Sequence, residues 1–215
     1  MINFHNIDCM ELMKDVPDKF YELAIVDPPY GLGKISFCSN KKRIHKEKSW
    51  NDFIPQKEYF KELHRISKNQ IIWGCNYYSK YIESKGRIVW DKLIPSHGLQ
   101  TFSDCDLASN SLENRIIKFT YEWRGNVQNG KIDWNGTGID ARIHPTQKPI
   151  ALYKWLLKNY AKEGDKIIDT HGGSMSSAIA CYDGGFDLDI CEIDKEYFDQ
   201  AVKRFEWHKS QLRMF

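Results

Sequence analysis

Lys166-Ile167-Ile168-Asp169-Thr170-His171-Gly172-Gly173-Ser174-Met175 carries the chain from an aliphatic strand into a glycine-rich turn. Ser176 to Tyr182 continues as a helix to Gly184-Gly185, and Phe186 to Glu192 reads as the next strand, ending in an acid. This is a βαβ unit with a tight first turn, and its acid falls 23 residues after Asp169. Acids at the end of the second strand of such units typically hold ribose hydroxyls. Taken alone, a glycine pair in a βα turn serves helix-to-sheet packing equally well. The rest of the chain decides between the two.

Outward from this unit, β-branched and aromatic runs mark strands at 2–7, 22–27, 70–74, 87–91, 115–121, 166–169 and 186–192. Helical patterns lie between most of them. Asp8 with Glu11 has the spacing of a capping box for a short helix through Lys14. Pro55 and Pro149 can each open a helix, with Phe60, Leu63 and Ile66 on one face of the first and Tyr153, Leu156, Leu157 and Tyr160 on the second. Residues 76–85 and 195–209 carry further helical spacing. The fold class is therefore α/β, a seven-stranded and mainly parallel sheet covered on both faces. Between 87 and 121 two strands follow each other without a strong helix, which predicts an antiparallel edge pair. The whole chain, 1–215, reads as one domain with two long excursions, 31–54 and 122–145, that exceed ordinary loop length.

Composition bounds the function. The 215 residues hold 31 basic and 29 acidic side chains, a net charge of +2. No apolar run approaches the ~20 residues of a membrane helix, and Met1-Ile2-Asn3-Phe4-His5 lacks the start of a secretory signal. An intracellular, cytoplasmic protein with no membrane contact is expected. The six cysteines form no C-x-x-C pair and the seven histidines no H-x-x-x-H pair, so neither a metal site nor a disulfide framework is expected. The charge is uneven. Lys34, Lys41, Lys42, Arg43, Lys46 and Lys48 face only Glu47 within 31–50, a local +5 that leaves −3 for the other 195 residues. Such a segment suits a polyanion.

The most specific signal is Asp27-Pro28-Pro29-Tyr30, placed directly after Leu23-Ala24-Ile25-Val26. By average usage this tetrapeptide arises by chance in roughly one chain per thousand of this length. Two prolines make the turn rigid and remove its backbone donors, and it lies at the carboxyl end of a strand, where ligands of open α/β sheets bind.

With His144-Pro145-Thr146-Gln147-Lys148-Pro149 added to the DPPY turn and the glycine-rich turn, the chain resembles the β-class amino-methyltransferases of DNA, in their circularly permuted motif order. In style it resembles the small methylases of phages and prophages. The resemblance implies the class I, Rossmann-like methyltransferase fold, S-adenosylmethionine as cofactor and duplex DNA as partner, with the target base flipped out of the stack. It implies catalytic roles for Asp27, Pro28, Pro29 and Tyr30. Asp169, His171, Gly173 and Ser174 would line the methionine side of the cofactor, Glu192 its ribose, and Thr146 and Lys148 its amino-acid end. Asp8 would touch the adenine amino group, although capping the first helix accounts for it equally well. Lys34, Lys41, Lys42, Arg43, Lys46 and Lys48 in the first excursion, with Arg124, Lys131 and Arg142 in the second, would contact DNA. A homodimer is left open. One departure stands out: the family's Gly-Ser-Gly or Gly-Thr-Gly is here Gly173-Ser174-Met175.

The Asp that opens DPPY points to adenine N6 as the target, with cytosine N4 as the alternative. Asp27 and the HPTQKP block argue against protein glutamine methylation, whose similar turn begins with Asn. No cysteine follows a proline, which argues against carbon-5 methylation of cytosine. The alternative outside catalysis is a DNA-binding protein whose cofactor site is weakened at Met175.

Overall fold

Leu23, Ala24, Ile25 and Val26 are all apolar because their strand is covered on both faces of a sheet, and alternate side chains leave on opposite sides. In the computed structural model Leu23 and Ile25 enter one core cluster with Ile71, Trp73, Ile167 and Phe205. Ala24 and Val26 enter another, with Tyr59, Phe60, Leu63 and Ile168. The structure describes residues 1–33, 38–39, 42–43, 51–93, 103–124, 127–128, 131–132 and 142–211.

The main sheet has eight strands. In chain order they are β1 (Ile2–His5), β2 (Tyr21–Val26), β3 (Ser67–Trp73), β4 (Gly86–Asp91), β5 (Cys105–Asn110), β6 (Ile116–Thr120), β7 (Lys166–Asp169) and β8 (Asp187–Cys191). Their spatial order is β1-β8-β7-β2-β3-β5-β4-β6. Five helices accompany them: α1 (Cys9–Met13), α2 (Lys57–Ile66), α3 (Ile150–Tyr160), α4 (Ser176–Gly184) and α5 (Lys195–Ser210). α2 covers one face, and α3, α4 and α5 the other. Chain direction explains the site's position. From β7 the sheet continues through β8 to β1, and from β2 it continues through β3, so the β7–β2 neighbours form the switch point at which such sheets open a crevice.

Three expectations are corrected. The sheet has eight strands rather than seven, because β5, with the polar sequence Cys-Asp-Leu-Ala-Ser-Asn, carries too little apolar signal to be read as one. β5 is antiparallel to both β3 and β4 and lies between them, away from the edge. Since β5 supplies the return path, β4 and β6 run parallel, Arg87 opposite Ile116, and do not form the antiparallel edge pair. Residues 76–85 contain only one 3₁₀ turn, Ser79–Tyr81. There the aromatic spacing serves other contacts: Tyr81 stacks on Phe60 and the buried Tyr78 hydroxyl reaches two backbone carbonyls.

Helix starts follow local chemistry. Asp8 accepts a hydrogen bond from Met10 N at 2.8 Å, Pro149 occupies the N-cap of α3, and Asp194 accepts from Glu196 N and Tyr197 N. Glu11 pairs with Lys14.

Candidate active site

β2 delivers the Asp-Pro-Pro-Tyr turn to the carboxyl edge of the sheet. Asp27 has both carboxylate oxygens engaged. The Tyr30 hydroxyl donates to Oδ1 at 2.6 Å, and the Lys148 ammonium donates to Oδ2. The Lys148 side chain is 4% exposed and that of Asp27 15%, so this is an ion pair withdrawn from water. Lys148 Nζ also lies 3.1 Å from the Tyr30 hydroxyl and 3.9 Å from Asp106 Oδ2. Asp106, on β5, is held by Lys92 at 2.6 Å. Four alternating charges thus sit against one turn. The Pro28 carbonyl accepts from the buried Tyr78 hydroxyl at 3.0 Å.

The Tyr30 ring is packed rather than free. It stacks on Tyr77 with centroids 4.8 Å apart, and a Cβ placed on Gly74 would come within 2.2 Å of its Cε1. Asn51 anchors the turn from outside: its side chain accepts from Tyr30 N and donates to the Gly33 carbonyl, and its backbone carbonyl accepts from Gly33 N. Beside the turn, Leu32 and Phe53 stand 56% and 79% exposed.

The second half of the site is built by β7, β8 and α4. Gly172 N donates to the Cys191 carbonyl at 2.6 Å, and a Cβ on Gly172 would lie 2.9 Å from Ile190, so only glycine permits this approach. Gly173 N donates to Glu192 Oε2 and Asp194 N to Glu192 Oε1, both at 2.8 Å. Glu192 thereby ties the glycine-rich turn to the start of α5. Arg204 donates to the Ser174 carbonyl at 2.7 Å from behind.

Met175 does not take the helical conformation in which a methionine would be tolerated. It has not entered the helix; it is the N-cap of α4, left-handed at φ 56°, ψ 35°. That costs a non-glycine residue about 1–2 kcal/mol. Its side chain is fully buried in the core, which offsets the strain. Truncating a buried methionine costs about 2–5 kcal/mol, so Met175→Gly should lower stability by roughly 1–3 kcal/mol, read from the shift in thermal midpoint.

Asp8, Thr146, Lys148, His171, Gly173, Ser174 and Glu192 line one cavity of about 290 Å³, together with Asp27 and Pro29. Asp169 lies beneath it, buried, accepting from Ser177 Oγ at 2.6 Å and His171 N at 3.1 Å. Two distant turns, one at the end of β2 and one at the end of β7, therefore face a single chamber.

A family model described as DNA methylase matches residues 89–203. The chain belongs to the DNA methylases. It is 24% identical to the type II methyltransferase M1.MboII of Moraxella bovis, over 92% of this chain and 94% of that protein. It is 23% identical to the DNA adenine methyltransferase YhdJ of Escherichia coli K12, over 93% and 81%. Among solved structures it is similar to the M1.HpyAVI–SAM complex, at 20% identity and a TM-score of 0.62 over 95% of this chain and 100% of that one. It is also similar to the PvuII cytosine-N4-specific DNA methyltransferase, at 12% and 0.63 over 95% and 86%. These likenesses establish the class I methyltransferase fold. This DNA methylase uses the family's methyl donor, S-adenosylmethionine. The chamber fits such a molecule: a glycine turn in which a Cβ on Gly172 would crowd Ile190, acids for hydroxyls, and one ammonium for a carboxylate.

Burial moves an acid and a histidine of the chamber in opposite directions. Burial pushes Asp169 up to about 7, against the pull of Ser177 and the His171 amide, with the charges of Asp27 and Glu192 adding to the rise. Burial also pushes His171 down to about 4. A raised carboxyl holds a proton in the folded state that the unfolded chain has lost, so between about pH 4 and 7 its contribution to stability falls as pH rises. A lowered histidine contributes stability that is lost as pH falls from about 6.5 to 4. The two slopes oppose each other. Asp169→Asn should therefore leave the histidine slope alone, and thermal midpoints of the cofactor-free variant should drop more steeply than wild type on acidification through that window.

Of the residues expected on DNA, Lys34, Lys41, Lys46 and Lys48 lie outside the described residues, as does most of both excursions. Lys42 and Arg43 belong to a short antiparallel pairing with Cys38 and Ser39. Arg124 and Lys131 belong to another, with Val127 and Gln128 between them. Arg142 is half-buried with its guanidinium 5.7 Å from the Trp123 ring centre. Among the described residues no helix is long and apolar enough to cross a membrane and no His, Cys, Asp or Glu group could hold a metal. Sequence reading missed Asn51, Tyr77, Tyr78, Lys92 and Asp106. Trp50-Asn51-Asp52 at the end of the basic excursion was the available signal for the first; the others give none before the strands are placed.

Proposed function

We propose that this DNA methylase transfers the methyl group of S-adenosylmethionine to the exocyclic N6 of adenine in DNA, on a base rotated out of the duplex. The observation that carries the reading is the placement of Asp27, opening an Asp-Pro-Pro-Tyr turn, on the chamber whose other wall is the glycine-rich turn. The relative YhdJ of Escherichia coli, a DNA adenine methyltransferase by name, supports the base assignment. We propose further that 1–215 acts as one domain, with 31–54 and 122–145 facing DNA.

Bound S-adenosylmethionine supplies an electrophilic methyl carbon on a sulfonium. The protein's task is the nucleophile. An exocyclic amine on a purine is a poor one, because its lone pair is delocalised into the ring. Asp27 Oδ and the Pro28 carbonyl would each accept one N–H, which favours a tetrahedral nitrogen with its lone pair free. Rate then comes from positioning and electrostatics with no covalent intermediate. The C–N bond would replace the methyl–sulfonium bond, leaving the neutral thioether S-adenosylhomocysteine with that electron pair; one N–H proton then leaves, and the carboxylate already hydrogen-bonded to that nitrogen would accept it. Tyr30 would offer the flipped base an aromatic face, worth about 1–3 kcal/mol, once Tyr77 moves off it. The basic segment from Lys34 to Lys48 would hold phosphates and make affinity salt-dependent.

Asp8, Asp169, His171, Gly173, Ser174 and Glu192 would bind the cofactor, with Thr146 and Lys148 at its amino-acid end. Adding S-adenosylmethionine at 100 times its dissociation constant should stabilise the protein by about 2.7 kcal/mol. Isotopically labelled methyl should then pass to unmethylated DNA. An unmoved melting curve at millimolar cofactor would favour a DNA-binding protein with a weakened cofactor site.

A further inference from the structure

Among the described residues, Lys148 is the single Lys or Arg lining the chamber, which the acids Asp8, Asp27 and Glu192 also line. His171, which also lines the chamber, is held neutral by burial. A ligand carboxylate entering here therefore meets Lys148 as the one Lys or Arg side chain among the described residues of the lining. That same ammonium is already spent on Asp27 Oδ2, with Tyr30 covering Oδ1. Lys148 has a second carboxylate within reach, Asp106 at 3.9 Å, but Asp106 is matched by Lys92. A lysine head on a flexible four-carbon stem can move between acceptors a few ångströms apart.

Resting on the proposed cofactor reading, we propose that Lys148 is a positioning residue that couples the cofactor site to the catalytic turn. Without cofactor its ammonium occupies Asp27. The carboxylate of the cofactor's methionine portion competes for that ammonium and draws it off, which opens Asp27 Oδ2 to the target amine. Cofactor binding thereby precedes productive engagement of the base, and the two events share one charge. By reciprocity, a change on the Asp27 side that frees the Lys148 ammonium must tighten the cofactor.

The test needs no knowledge of the DNA site. Calorimetric titration would measure S-adenosylhomocysteine, which keeps the carboxylate but lacks the sulfonium charge, and 5′-methylthioadenosine, which lacks the amino-acid portion. Asp27→Asn releases Lys148 and should tighten S-adenosylhomocysteine by a factor within the usual coupling range of roughly 5 to 150. Lys148→Met should weaken it. In the double variant the gain from Asp27→Asn should vanish, because no ammonium is left to release. 5′-Methylthioadenosine should bind all four proteins alike. Circular dichroism of each variant checks folding, and Lys148→Gln replaces Lys148→Met if the latter misfolds. A gain from Asp27→Asn that persists without Lys148 would mean simple repulsion of the ligand carboxylate and would overturn the coupling. No gain at all would overturn it too. Failure of wild type to bind either nucleoside would remove the cofactor reading, and the coupling with it.

Discussion

Asp27→Ala should reduce methyl transfer to DNA by at least about 10²–10³-fold, the loss typical when one preorganised group at the reacting atoms is removed. The alanine leaves the target amine without its charged acceptor. It also strands the Lys148 ammonium, 4% exposed, with Asp106 at 3.9 Å as its next acceptor. Removing one partner of a buried ion pair costs roughly 3–5 kcal/mol, so the variant should also melt lower. Asp27→Asn separates the two effects. The amide keeps the shape and one oxygen acceptor while removing the charge, so activity should fall by a similar factor with the smaller loss in stability. Steady-state transfer of labelled methyl and thermal melts on both variants check this. Wild-type turnover in either would remove Asp27 from the chemistry.

Gly74→Ala should disable the site from behind. Gly74 follows β3 at φ +70°, and its Cβ would stand 2.2 Å from Cε1 of Tyr30. That ring cannot simply retreat. Tyr77 stacks on it, its hydroxyl is bound to Asp27, and its backbone N–H is bound to Asn51. The methyl group therefore forces Tyr30 off Asp27 or shifts the end of β3. Left-handed strain of about 1–2 kcal/mol and overpacking of about 1–3 kcal/mol should together destabilise the fold by roughly 2–5 kcal/mol. Methyl transfer should fall about 100-fold or more, as displacement of about an ångström at a reacting centre does. Gly164→Ala is the matched control. Its φ is +85° with no atom within 4 Å of the added carbon, so it should show the backbone strain alone and full activity.

Much of this arrangement was legible in the chain because local chemistry dictated it. The DPPY turn followed a run apolar on every residue, which a strand buried on both faces requires, and the glycine-rich turn followed the shorter pair Ile167-Ile168. Placing both on one chamber needs only the rule that ligands sit at the carboxyl ends of parallel strands. What was not legible depended on distance along the chain. Lys148 and Asp27 are 121 residues apart, and nothing near either residue announces the pair. β5 escaped notice because a strand between two neighbours can be polar and small when its partners supply the bulk. The helical spacing of Tyr78, Tyr81 and Ile82 misled for the opposite reason, since those rings pack against Phe60 and the Pro28 carbonyl from a chain that Gly74 has already turned. Met175 shows a local rule overridden by burial: a conformation suited to glycine is held by a methionine whose side chain fills the core.

The central claim is that Asp27, set at the mouth of the cofactor chamber, directs methyl transfer to adenine N6. Its most direct test incubates the protein and S-adenosylmethionine with unmethylated DNA, digests the product to nucleosides and reads them by mass spectrometry. Wild type should yield N6-methyladenine and Asp27→Ala none. N4-methylcytosine in its place would contradict the base assignment, and N6-methyladenine that survives Asp27→Ala would contradict the mechanism.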